Sequence, residues 1–329
     1  MSNSYGIDSM MYTGQAPWQG IGHSLEGAVP WEEAIEKAGL NWQVKMEPIF
    51  IERHLTSPLG GINGSPVVSY HKVPNRYACT RRDTGDVFGV FGKGYQPLSA
   101  EDFGKFPAAL VAADEAVFHS GGSLNGGARR WLYLQLPSTL QVSNTDVLDR
   151  GILVTDSVDG AASLGVRFMT VRKRCCNTIQ GIVGGRQGFQ FKGRHTVNLM
   201  GRVNEAREIL GLEEAYSQML QLGIDRLAQE AMTKPQLDEF LVQLFGQEED
   251  PEAIGARIQN QMDRVGDLFY HGLGNVGETR WDALNAVTEF VDHHRGSDQS
   301  KRLNAAWFGS GADMKAKAWE LLVPAGAVS

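Results

Sequence analysis

The sequence predicts an α+β protein, with an antiparallel β-sheet and packed helices followed by a mostly helical C-terminal portion. Three observations carry this. Up to about residue 203 the chain is rich in glycine and holds short runs dense in Val, Phe, Tyr and Thr. Glycines, the Asp159-Gly160 pair and prolines punctuate those runs. Beyond residue 204 the apolar residues recur at helical spacing instead.

Taken in order, "VPWEEAIEKAG" reads as a helix with Pro30 at its start and Gly39 at its end. The runs "PVVSYHKV" (66–73), "RYACT" (76–80) and "DVFGVFG" (86–92) read as strands, with Asp83 and Gly85 turning the last pair into a hairpin. "SAEDFGKFPAALVAADEA" is a helix opened by Ser99 with Asp102 three residues on, and Pro107 is expected to kink or split it. Three more strands follow, "RWLYLQL" (130–136), "GILVT" (151–155) and "LGVRFMTV" (164–171), the last two joined at Asp159-Gly160. In "NEAREILGLEEAYSQMLQLGIDRLAQEAMT" the apolar positions Ile209, Leu212, Tyr216, Met219 and Leu227 mark one face of a helix. Four further helical stretches follow: "KPQLDEFLVQLFG", "PEAIGARIQNQMDRVGDLFYHG", "ETRWDALNAVTEFVDHHRG" and "SKRLNAAWFGSGADMKAKAWELL". The acidic "QEEDPE" (247–252) reads as a solvated loop between helices. Residues 1–203 thus form a β-rich α+β region and 204–329 a helical region that can pack on it as one domain.

Composition narrows the function classes. The chain has 329 residues, 42% hydrophobic and 21% charged, which is ordinary for a globular protein. No run is apolar enough for a bilayer span, and the N-terminus lacks a leader pattern, so no membrane is expected and a cytoplasmic setting is. The cysteines Cys79, Cys175 and Cys176 form neither a disulfide framework nor a Cys-x-x-Cys metal motif.

Charge is uneven. The chain carries a net charge of −7, yet residues 160–204 hold eight Lys or Arg and no carboxylate, leaving 23 basic against 38 acidic residues elsewhere. Cations this dense repel one another unless an anion screens them, so a polyanion is the natural partner. Internal pairing with the chain's own carboxylates is the alternative. On the first reading Arg167, Arg172, Lys173, Arg174, Arg186, Lys192, Arg194 and Arg202 meet phosphates, and Phe189 and Phe191, two apart, share a face as a base-stacking platform. The pairs Arg81–Arg82 and Arg129–Arg130 can extend the track. The glycine-rich "GIVGGRQG" (181–188) matches no phosphate-loop fingerprint and reads as a hairpin tip.

Catalysis finds little support. The positive charge around Cys175 and Cys176 favours thiolate, but no histidine can be placed beside them. The adjacent His293 and His294 in "DHHR" point about a hundred degrees apart on a helix and do not share an ion. No catalytic residue, metal or cofactor is expected.

The stretches "APWQGIGHSL", "GLNWQV", "TGDVFGVFGKGYQPLSAEDF", the basic strand ending in "RCCNT", "TRWDALNAVTEFVDHHR" and "AAWFGSGADMKAKAWELL" occur in this order over nearly the whole chain. Together they resemble the phage/plasmid-like protein family, a domain of unknown function found on bacteriophages, plasmids and integrated elements. That resemblance implies a mobile-DNA setting in a bacterial host cell and no established catalytic residues. The layout is also similar to single-strand annealing proteins of phage recombination, which assemble into rings or filaments. The expected function is therefore non-catalytic nucleic-acid binding, with single-stranded DNA favoured and a homo-oligomer as one form. The alternative is a protein-interaction factor that antagonises host defence, of the anti-restriction type.

Overall fold

The computed structural model describes residues 7–13, 22–27, 29–55, 67–110, 116–144, 146–180, 190–195, 200–210, 213–246, 255–296 and 299–323. It is an α+β fold with two sheets. The larger is built from β1 (Ile7–Thr13), β2 (His23–Leu25), β6 (Val117–Leu124), β7 (Arg129–Ser143), β8 (Asp146–Ser157), β9 (Leu164–Arg172), β10 (Thr178–Gln180) and β11 (Gln190–Gly193). Its order is β10-β9-β8-β7-β6-β1-β2, with β11 also on β9, and all pairings are antiparallel except β1–β2. The smaller sheet is β3 (Val44–Leu55), β4 (Val67–Arg81) and β5 (Val87–Gly92), in that order.

Both turn expectations hold. Gly85 between β4 and β5 (φ +80°) and Gly160 between β8 and β9 (φ +77°) adopt the left-handed backbone that favours glycine. The segments 66–73 and 76–80, read as separate strands, meet in one strand that the structure describes from Val67 to Arg81. Asn75, at φ +53°, absorbs the irregularity without ending the pairing.

The helices are α1 (Trp31–Lys37), α2 (Ala100–Leu110), α3 (Val203–Leu210), α4 (Glu213–Gln229), α5 (Lys234–Phe245), α6 (Ala256–His271), α7 (Arg280–Glu289), α8 (Gln299–Phe308) and α9 (Ser310–Leu322). Ser99 caps α2, accepting from the Asp102 amide at 2.9 Å. Pro107 does not split α2, since the helix runs through it to Leu110. Fully buried Phe103 and Phe106 hold this helix on the sheet and compensate for the lost backbone bond. No helix among the described residues is long and apolar enough to cross a membrane.

One face of the large sheet, carrying Leu132, Val154 and Phe168, is covered by α2 and α4. Tyr216 of α4 stacks on Phe168 at 4.9 Å, and Phe106 of α2 on Phe191 at 5.8 Å. The opposite face, carrying Trp131 and Arg167, receives α8. There Trp307 meets Trp131 edge-on at 5.6 Å, and the Trp307 carbonyl accepts from Arg167 at 3.3 Å. Alternation along each strand makes these two faces, and both are buried, so the strands read as nearly continuous apolar runs.

Candidate functional site

The basic stretch 160–204 does not remain outward as a track. Arg172 is 2% exposed. Its Nε and Nη2 donate to the two Asp146 oxygens at 2.8 and 2.5 Å, and its remaining donors reach Asn275 Oδ1 and the Leu273 and Gly274 carbonyls. Trp281 lies 5.7 Å from the guanidinium and donates its own Nε1 to Asp146. The expectation that Arg172 lines a groove is therefore corrected: every donor is engaged internally, because burying an unpaired guanidinium would cost several kcal/mol, on the order of 5.

Arg130 is corrected as well, because it is fully buried and paired with the chain's own carboxylate. The register places it directly opposite Asp156, with which it pairs, and it donates to the Leu98 carbonyl at 3.0 Å. His195 Nε2 lies 3.2 Å from the other Asp156 oxygen. Burial opposes the Asp156 charge, yet Arg130 and His195 outweigh it and hold the carboxyl below its usual range. Phe191, expected as a stacking surface, is 1% exposed and packs on Phe106.

The other members are dispersed. Arg167 is mostly enclosed and bonded to the Trp307 carbonyl. Arg202 forks onto Glu205 at 2.7 and 2.6 Å and lies over Phe191. Lys173 is exposed but pairs with Asp149 at 3.1 Å. Arg81 forks onto Asp83, Arg82 bonds Gln43, and Arg129 bonds Asn304 of α8. Arg174, Lys192 and Arg194 are exposed. Arg186, Phe189, the 181–188 loop and the acidic 247–252 stretch lie outside the described residues. Around Cys175, burial outweighs the neighbouring Arg172 and pushes the thiol up to about 12, so the expected thiolate is not favoured.

Cationic side chains do converge elsewhere, in a cleft of about 830 Å³ between α6, the end of α7, α8 and the start of α9. On α6 the positions Arg257, Asn260, Gln261 and Arg264 follow an i, i+3, i+4, i+7 pattern and line the cleft. The opposite face of the helix buries Met262, Val265, Leu268 and Phe269. After α7 the chain makes a π-helical turn, Phe290–His294, closed by the Arg295 amide bonding the Phe290 carbonyl at 2.7 Å. This turn separates the neighbouring histidines. His293 bonds the Cys175 carbonyl at 3.1 Å, while His294 and Arg295 line the cleft.

From α8, Arg302 donates to the carbonyls of His293, Arg295 and Gly296, fixing the turn's open end. Gly311 lets α9 start against α8, since a Cβ there would stand 2.8 Å from the Ala305 carbonyl oxygen. Ser310 thereby reaches the rim, and Phe290, Val291 and Ala305 supply apolar lining.

Four arginines and a histidine thus line the cleft, and no carboxylate is among the described lining residues. Arg264 pairs with Asp267 at 2.8 Å, and Glu289 stands 3.7 Å from His294. Arg257 and Arg295 have no carboxylate partner among the described residues, and Arg295 Nη1 is buried with no hydrogen-bond acceptor there. Burial and then Arg257 pull the Arg295 guanidinium below its usual value. Among the described residues no group of three or more His, Cys, Asp or Glu is placed to hold a metal ion.

The sequence reading missed this cleft because its cations are spread over nearly fifty residues that also contain acids. The available signal was the α6 spacing together with "DHHR".

Comparison with curated proteins and with solved structures finds no match. A family model described as Domain of unknown function (DUF932) matches residues 87–307, from β5 to α8, a span that contains every cleft residue named above except Ser310. With more than half of its length matched, the chain belongs to the DUF932 family of domains of unknown function.

Proposed function

We propose that the chain binds nucleic acid through its phosphates at the arginine cleft, with single-stranded DNA the favoured form and a phage or other mobile element the setting. The observation that carries this is the convergence of Arg257, Arg264, Arg295, Arg302 and His294 on one cleft with no carboxylate among its described lining residues. Guanidinium groups held this close repel one another, so an anion that enters lowers the energy of the folded state. The planar fork of arginine matches phosphate oxygens in pairs, and the volume lies in the range that takes small ligands or a few backbone units. Because the molecule as a whole is acidic, with a net charge of −7, such attraction is local to the cleft.

The test is fluorescence anisotropy of a labelled single strand over a series of salt concentrations. Wild-type protein is expected to bind at low salt and weaken as salt rises. Arg257→Glu and Arg295→Glu should each lower affinity by about tenfold, and each lost phosphate contact should reduce the salt slope by about 0.7. Absence of binding at low salt, or reversal variants that bind as wild type does, would defeat the reading.

A second reading, a protein partner of the anti-restriction kind, draws support from the end of α6 and the loop after it, where Tyr270, Leu273 and Val276 are exposed. Absence of oligonucleotide binding in the same titration would leave this as the better account.

A further inference from the structure

The smaller sheet carries the aromatic surface that the basic stretch lacks. Strand β5 pairs with β4 only over residues 76–80, so beyond Arg76 the pair β3–β4 continues as a two-stranded ribbon. Residues 50–54 are all exposed, as are 70–72, so the ribbon is open to solvent on both faces. Two strands alone are marginally stable in water and gain little by displaying large apolar groups. Yet Tyr70 is 66% exposed and Phe50 52%.

The register pairs Phe50 with Lys72, Glu52 with Tyr70 and His54 with Val68. Residues directly opposite share a face, so Phe50 and Tyr70 lie diagonally on one side with Lys72 between them in the pattern. Ile51, Arg53 and His71 occupy the other side. The described ribbon residues 50–55 and 67–76 contain Arg53, Lys72 and Arg76 against Glu52 alone, and Glu52 is held by His54 at 2.7 Å.

We infer that the β3–β4 ribbon is a stacking surface for unpaired bases, with Phe50 and Tyr70 taking the rings, Lys72 on the same face meeting the backbone, and Arg53 and Arg76 adding to the ribbon's positive charge. Aromatic side chains beside cations are what strand binding without sequence readout uses, since every base presents a π-face. A second copy of the chain fits less well: two-fold packing of ribbon on ribbon would set an excess of like charge against itself, and Pro48 on β3 removes a donor from that edge. This inference rests on the nucleic-acid reading of the cleft and adds to it the ability to tell single strand from duplex. The two surfaces separate the work, because bases within a duplex are already stacked and offer the ribbon nothing.

The experiment compares wild-type protein with Phe50→Ala/Tyr70→Ala, using a labelled single strand and the duplex of the same sequence at fixed salt. Both side chains are exposed, so matched circular dichroism is expected. The double variant should lose roughly tenfold or more in single-strand affinity, the size of at least one base stack, with duplex affinity unchanged. Phe50→Tyr/Tyr70→Trp keeps the rings and should keep the single-strand affinity.

Equal effects on strand and duplex, or no effect on either, overturn the inference. A fall in molecular mass by light scattering in the alanine variant also overturns it, by assigning the surface to a second copy. The cleft reading fails separately, through Arg257→Glu and Arg295→Glu variants that bind duplex and strand as wild type does. Wild-type protein that binds neither form at low salt overturns both.

Discussion

His294 stands between Glu289 at 3.7 Å and Arg264, whose guanidinium lies 3.4 Å from its ring. Burial first, and Arg264 second, hold this imidazole below its ordinary value, against the opposing pull of Glu289. It is therefore neutral near pH 7 in the empty cleft. A phosphate beside it favours the imidazolium, so its pKa is higher in the complex than in the free protein. Affinity then rises as pH falls through the bound value and levels off below the free one, with a proton taken up on binding. Measured at constant ionic strength from about pH 8 to about pH 5, where imidazole titrates, the gain should be on the order of tenfold. His294→Gln should flatten the profile, and a variant that keeps the full pH dependence would remove His294 from the site. The same scale explains what the basic stretch concealed. A count of charge along the chain registers Arg172, Arg130 and Lys173, but their partners Asp146, Asp156 and Asp149 all lie on β8 and meet them only through strand pairing and side-chain reach.

Among the elements, β10, the turn after α7 and α9 are tied by one buried polar group. Lys315 of α9 pairs with Asp292 and donates to the Thr178 hydroxyl at 2.7 Å, while Asp292 accepts from the Thr178 amide at 2.7 Å. Removing one partner leaves the other charge buried, so Lys315→Met should destabilise the protein by about 3–5 kcal/mol in urea denaturation. Combining it with Asp292→Asn should cost less than the two single changes added together, and strict additivity would show that the pair does not act as a unit. This tie also braces the cleft, because Asp292 belongs to the same π-helical turn as His294. Much of this level was readable in the sequence: the two glycine turns, the Ser99 cap and the helices of the C-terminal third. What escaped had physical causes. Pro48 inside "KMEPIFIERHL" reads as a break, although on an edge strand proline is tolerated. The stretch that forms α7 reads as a helix, but its burial at every position from Trp281 to Glu289 is not legible, because its polar and apolar residues are not sorted onto separate faces. The exposed ribbon aromatics Phe50 and Tyr70 lie in strands whose openness on both faces depends on how far β5 reaches, which no local pattern encodes.

At the scale of the molecule, the β-rich and helical regions are joined through buried contacts rather than a surface seam. Arg172 of the sheet satisfies carbonyls of the loop after α6, Trp131 packs on Trp307, and Lys315 reaches across to Thr178. Each of these would break a buried hydrogen bond or expose an indole if the regions came apart, so separation has no inexpensive intermediate. Chains of this length often unfold domain by domain, yet here the contacts argue for one step. Urea unfolding followed by tryptophan fluorescence and by far-ultraviolet circular dichroism should give coincident transitions, since Trp131 and Trp307 report the junction and circular dichroism reports both regions. Two resolved transitions would mean that residues 204–329 hold their fold without the sheet. The distinction bears on function: every cation of the cleft is on α6, the turn after α7 or α8, and Trp307 anchors α8 to the sheet. With a single transition, oligonucleotide binding and sheet stability are lost at the same urea concentration. A Trp131→Ala variant, which leaves a large cavity beneath α8, then lowers both together, by about 3–5 kcal/mol in stability.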